Sequence, residues 1–118
     1  MLGGVASTND NLTQPTLQTL LAKAIRLGAD EIELEYFSEG LQVVYVHGQT
    51  GAGDVIASHE ATRAIIDDLF ERAKHERKDR GGFKWAYAGV EHMIRVQTYD
   101  SFGESAFRLT FKKPAHAR

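Results

Sequence analysis

The chain contains no cysteine, which excludes a disulfide framework and a thiolate metal site. It has two prolines and one tryptophan, so rigid turns and large aromatic anchors are few. No stretch approaches the roughly 18 consecutive apolar residues of a membrane-spanning helix, and no membrane insertion is expected. Residues 1–11 lack a basic start and an apolar run, so they do not read as a secretory signal but as a polar tail. These absences together fit a cytoplasmic location.

What is present is ordinary for a globular domain: 42% hydrophobic and 25% charged residues in 118 positions, enough for one core. The reading is a flexible tail over 1–12, one domain over 13–113 and a short tail over 114–118. Met1 and the unremarkable tail after Pro114 favour a full gene product. The net charge of −2 conceals an asymmetry. Residues 1–70 carry 3 basic and 10 acidic side chains, and residues 71–118 carry 11 basic and 6 acidic ones. Such a dipole can orient a charged partner or favour head-to-tail self-association.

The spacing predicts a first helix beginning near Pro15, with Thr13 as its cap. Leu17, Leu20, Leu21, Ala24 and Ile25 form its apolar stripe, and Gly28 ends it. Ile32, Leu34 and Tyr36 then alternate with Glu31, Glu33 and Glu35, the pattern of a strand with one buried and one acidic face. Ser38-Glu39-Gly40 turns the chain into residues 41–46, apolar at nearly every position, which suggests a strand covered on both faces or lying centrally. Residues 47–54 are glycine-rich and read as a loop, with a short third strand over 55–57.

Ser58 should cap a second helix whose apolar face is Ala61, Ile65, Leu69 and Ala73, widened by Ile66 and Phe70. That helix runs into a basic segment, residues 72–78, and Gly81-Gly82 breaks the pattern. Phe83, Trp85 and Tyr87 alternate, as do residues 93–99. Ala88-Gly89-Val90 and residues 100–103 are turns, and residues 106–112 close the sheet. Short connections within each half require antiparallel pairing. The expected fold is α+β, two helices on a mainly antiparallel sheet of about five to six strands, in the order α-βββ-α-βββ.

Several motifs approach known chemistry and miss it. Residues 48–55 hold the two glycines of a phosphate-binding loop, but Asp54 and Val55 stand where lysine and a hydroxyl residue are needed. A carboxylate there reverses the electrostatics required by a triphosphate, and a hairpin loop accounts better for the segment. His59-Glu60-Ala61-Thr62-Arg63 puts an arginine at the second ligand position of a zinc helix, and His75 to Asp79 lies in a basic stretch. Both read as solvated helix faces. Glu31, Glu33 and Glu35 read as an exposed sheet face, able at most to meet a cation or a basic partner. The basic run near Trp85 and Tyr87 is diluted by Glu71, Glu76 and Asp79, which argues against nucleic acid. No metal, cofactor or catalytic residues are expected, and the chain is not expected to be an enzyme.

Residues 27–46 resemble the start of the second N-terminal domain of type II secretion and type IV pilus assembly ATPases. That bacterial family shows L-G-A-S-D-I-H-I-E-P, a turn, then G-L-R-V-R-Y-R-I-D-G. Gly28, Ala29, Glu31, Ile32, Leu34 and Glu35 occupy matching positions, as do Gly40, Leu41, Val43, Tyr45 and Gly48. Later, Gly81, Gly89, Arg95 and Val96 keep the family spacing, followed by Phe102-Gly103-Glu104 and Phe107-Arg108-Leu109. The resemblance spans about residues 14–112. Three strand arginines of the family fall on Gln42, Val44 and Val46, the arginine after its turn glycine is Gly82, and the Walker motifs of the motor are missing.

The resemblance implies a stand-alone, non-catalytic domain acting by protein–protein interaction, as an adaptor or regulator of a secretion or pilus machine. The candidate partner-binding residues are Arg72, Lys74, Arg77, Lys78 and Arg80 on a basic edge, with Arg95 as the retained family arginine. The alternative is a small-ligand sensor resembling PAS modules, with Trp85, Tyr87, Tyr99 and Phe107 lining a pocket or simply filling the core.

Overall fold

A computed structural model describes residues 14–73 and 80–112. The elements run α1 (Leu17–Leu27), β1 (Glu31–Phe37), β2 (Gly40–His47), β3 (Thr50–Ile56), α2 (His59–Ala73), β4 (Arg80–Tyr87), β5 (Val90–Ser101) and β6 (Glu104–Lys112). The expected α-βββ-α-βββ order and the antiparallel sheet are therefore what the chain adopts.

Thr16, not Thr13, starts α1; Thr13 lies outside the described residues. Its hydroxyl accepts from the Thr19 N–H at 3.2 Å, and the Thr19 hydroxyl accepts from the Thr16 N–H at 2.8 Å. This reciprocal pair satisfies donors that the first helical turn cannot, and it leaves Pro15 just ahead of the cap. The helix stops at Gly28, whose φ of +73° suits a residue without a Cβ. The Gly28 N–H donates to Ile25 O and the Ala29 N–H to Ala24 O, closing the end. Ser58 caps α2 as expected, its hydroxyl accepting from the Ala61 N–H at 3.0 Å.

The six strands form one sheet in the order β3-β2-β1-β6-β5-β4, with every neighbouring pair antiparallel. Each half is a meander built from short hairpins. Among the described strands the halves pair where β1 meets β6, Glu31 opposite Thr110 and Glu35 opposite Ala106. The chain reaches the far edge through α2. A 15-residue helix is about 22 Å long, close to the roughly 24 Å between the edges of a six-stranded sheet.

The helices cover one face. Ile32, Leu34, Leu41, Val43, Ile94, Val96, Phe107 and Leu109 are buried there against Leu17, Leu21, Ile65 and Leu69. Burial of this apolar area supplies the main stabilisation, at roughly 25 cal/mol per Å². Tyr45 belongs to this layer; burial first, then Asp54, pushes its hydroxyl up to about 12, against Arg26. The buried Tyr45 hydroxyl finds no hydrogen-bond partner among the described residues.

Two expectations are corrected and a third is narrowed. Residues 50–54 are not a loop but the start of edge strand β3, pairing with β2 from Thr50 opposite His47 to Ile56 opposite Leu41. Glycines are tolerated there because an edge strand has a neighbour on one side only. β2 lies inside the sheet between β1 and β3, the second of its two expected alternatives, and is not covered on both faces: Leu41, Val43 and Tyr45 are buried while Gln42 is exposed and Val44 and Val46 are half-buried. Gly81-Gly82 is no break but lies inside β4, opposite Val96 and Arg95.

Candidate interaction surface

The face of the sheet away from the helices carries a cluster of charged side chains. On β1 it presents Glu31, Glu33 and Glu35, and the ladders set these beside Thr110, Arg108 and Ala106 of β6. Arg95, Gln97 and Tyr99 of β5 follow in the same rows. Because side chains alternate along a strand, this layer is fixed once Ile32 and Phe107 face the core.

Arg108 is the centre of the layer. Its Nε lies 3.5 Å from Glu31 Oε2 and 3.7 Å from Glu33 Oε2, and its guanidinium stands 4.8 Å from the Tyr99 ring centroid. The Nε is buried and makes no hydrogen bond among the described residues, so these contacts are ion pairs without directed hydrogen bonds. Burial pushes the Glu31 carboxyl above the usual carboxylate range, helped by its hydrogen bond to Glu33 and opposed by Arg108. The Tyr99 hydroxyl is raised as well, by burial and then by Glu33 and Glu35. Glu35 accepts a hydrogen bond from the Ser101 hydroxyl at 3.2 Å.

The candidate partner-binding residues do not form one patch among the described residues. Arg72, in the last turn of α2, donates its Nε to Asp68 at 2.9 Å, so its charge is neutralised within the helix. Lys74, Arg77 and Lys78 lie outside the described residues. Arg80 opens β4, opposite Gln97. Arg95 is exposed on β5 between Gly82 and Thr110, with no side chain from Gly82 to shield it. Exposed Lys84 and Lys112 flank Met93 in the next row.

Arg108 and Tyr99 are the residues that sequence reasoning missed as members of this surface. The alternation of Ala106, Arg108 and Thr110 with Phe107, Leu109 and Phe111 was the available signal. It places Arg108 on the outer face but does not reveal that β1 is its neighbour.

The segment with phosphate-loop spacing serves another purpose. The Asp54 carboxylate accepts from Lys23 Nζ at 2.6 Å, tying β3 to α1, and the same Nζ lies 5.4 Å from the Tyr45 ring centroid. His59 and Arg63 are exposed on α2, and His75 and Asp79 lie outside the described residues. Among the described residues, no three His, Asp or Glu side chains come together as a metal site. No described helix is long and apolar enough to cross a membrane.

The four aromatics considered as a ligand pocket do not converge. Phe107 is buried in the core, where Tyr36 and Phe70 meet it edge-on at 6.0 and 5.5 Å. Trp85 and Tyr87 stack on each other at 5.2 Å. Tyr99 lies on the opposite face of the sheet with Arg108. No protein-family model matches the chain, and no curated protein matches it.

Proposed function

We propose that this chain is a non-catalytic interaction domain of the kind found at the N-terminus of secretion and pilus ATPases, acting by docking onto a component of such a machine in the cytoplasm. The observation that carries this reading is the sheet face that no described helix covers, where exposed Arg95 stands beside the Arg108 ion-pair cluster. A charged face fixed by strand register favours recognition and orientation of a partner over chemistry. The dispersal of Trp85, Tyr87, Tyr99 and Phe107 gives less support to a ligand sensor.

The test is recovery of the tagged chain from its native cells, with Arg95→Glu and Arg77→Glu/Lys78→Glu variants as controls. Mass spectrometry should identify a secretion or pilus component with the wild type that Arg95→Glu loses, and the purified component should bind directly. Equal recovery with all three chains would remove the charged surfaces from the account. Co-purifying small molecules in native mass spectra, with no protein, would favour the sensor.

A further inference from the structure

Phe102 is fully exposed, at 102% of its reference area, and its φ of +51° lies in the left-handed region. It forms the β5–β6 hairpin turn with Gly103, at φ +85°. Such turns favour asparagine or glycine at both positions, and a bulky aromatic there is strained. The ring does not repay that strain among the described residues. It stands beside an open cleft of about 230 Å³, formed with Glu35, Tyr36, Ser101, Glu104 and Ser105, without losing any solvent exposure.

A receptor for such a ring lies next to it. A groove of about 260 Å³ runs between α2 and the β1–β2 hairpin, walled by Tyr36, Phe37, Thr62 and Ile66. Gly40 also lines it, packed so closely that an added Cβ would overlap Ile56 O and come 2.9 Å from Ser58 N. Exposed His59, Arg63 and Asp67 complete the lining. Tyr36 borders both the hairpin cleft and the groove, and its hydroxyl is raised by burial and then by Asp67 on one side and Glu104 on the other.

We propose that this end of the molecule is a homodimer interface in which each Phe102 ring enters the Tyr36–Ile66 groove of a second copy. An anchor and its receptor that are neighbours on one chain are exchanged by a two-fold axis passing near the residue they share, here Tyr36, which gives a closed isologous pair. Asp100 and Glu104 flank the ring and would meet Arg63 and His59 at the rim of the groove, which Asp67 also lines. The same two carboxylates disfavour an anionic lipid surface as the occupant. This inference stands apart from the partner reading and involves neither Arg95 nor Arg108.

Sedimentation equilibrium of the full chain tests it. The wild type should be a reversible dimer. Phe102→Asn should raise the dimer dissociation constant by at least about 10-fold, the effect of removing a central aromatic anchor. That variant should melt no lower than the wild type under monomeric conditions, because asparagine accepts the left-handed conformation better than phenylalanine. Arg63→Glu should weaken the dimer, and Arg63→Glu/Glu104→Lys should restore it. A wild type that stays monomeric at all concentrations, or a Phe102→Asn chain that dimerises equally well, overturns the proposal. Failure of the double substitution to restore the dimer overturns the pairing of tip and groove.

Discussion

The two faces of the sheet are built from the same strands and obey different physics. Phe107 and Arg108 are adjacent in sequence and point opposite ways. Phe107 is 1% exposed, in a layer of apolar side chains sealed by two helices. Arg108 lies among carboxylates and a tyrosine ring with more than a third of its side chain in water. The covered face specifies the fold, while the open face has room to be specified by something else. A layer in which one arginine faces two carboxylates, with no ion partner for Arg95 among the described residues, contributes little to stability, and its charge pattern can be set by recognition instead.

The comparison breaks most clearly on the covered face. Phe107→Ala should cost about 3–5 kcal/mol in denaturant unfolding, through lost burial and the cavity left beside Tyr36 and Phe70. Gly40→Ala should follow, at about 1–3 kcal/mol or more, because its new methyl would be driven into the Ile56 carbonyl. Tyr45→Phe should run the other way and stabilise by up to about 1–3 kcal/mol, since it deletes a buried hydroxyl with no partner among the described residues.

On the open face the same measurements should give smaller numbers. Arg108→Ala should cost no more than about 1 kcal/mol, as expected for a solvent-screened ion pair. A loss as large as that of Phe107→Ala would show that the two faces are energetically alike. The smallest effect concerns Glu31. Its carboxyl takes up a proton more readily in the folded chain than in the unfolded one. The fold therefore gains stability from this group as pH falls through the raised folded value toward the ordinary 4.5, and loses it as pH rises back. Glu31→Gln should leave the neutral-pH melting temperature unchanged or higher and flatten its rise on acidification, as thermal melts across that range would show.

The element order was legible because the helices announce themselves by Leu17, Leu20, Leu21 and Ala24, and by Ile65 and Leu69, and because Gly28 and Ser58 punctuate them. The hairpin at Ala88-Gly89 was equally plain. β3 was misread because Gly51 and Gly53 are poor strand formers, and only the partner β2 makes them a strand. Thr16 was overlooked as a cap because Pro15 drew the helix start toward itself. The Arg108 cluster was out of reach for a deeper reason. It depends on β1 lying beside β6, a pairing between opposite ends of the chain that no local pattern encodes. Phe102 was visible as a turn residue and as part of a family-like triplet, but its exposure is a property of the folded hairpin.

That single seam between β1 and β6 also sets the order of folding events. Each three-stranded meander can close hairpin by hairpin, with short loops and little entropy lost at each step. Joining Glu31 to Thr110 requires almost the whole described chain to be gathered first. The rate-limiting step should then be the meeting of two preformed halves, with α2 as the tether that crosses between the sheet edges. Substitutions at Leu34 and Leu109, on either side of the seam, should slow refolding.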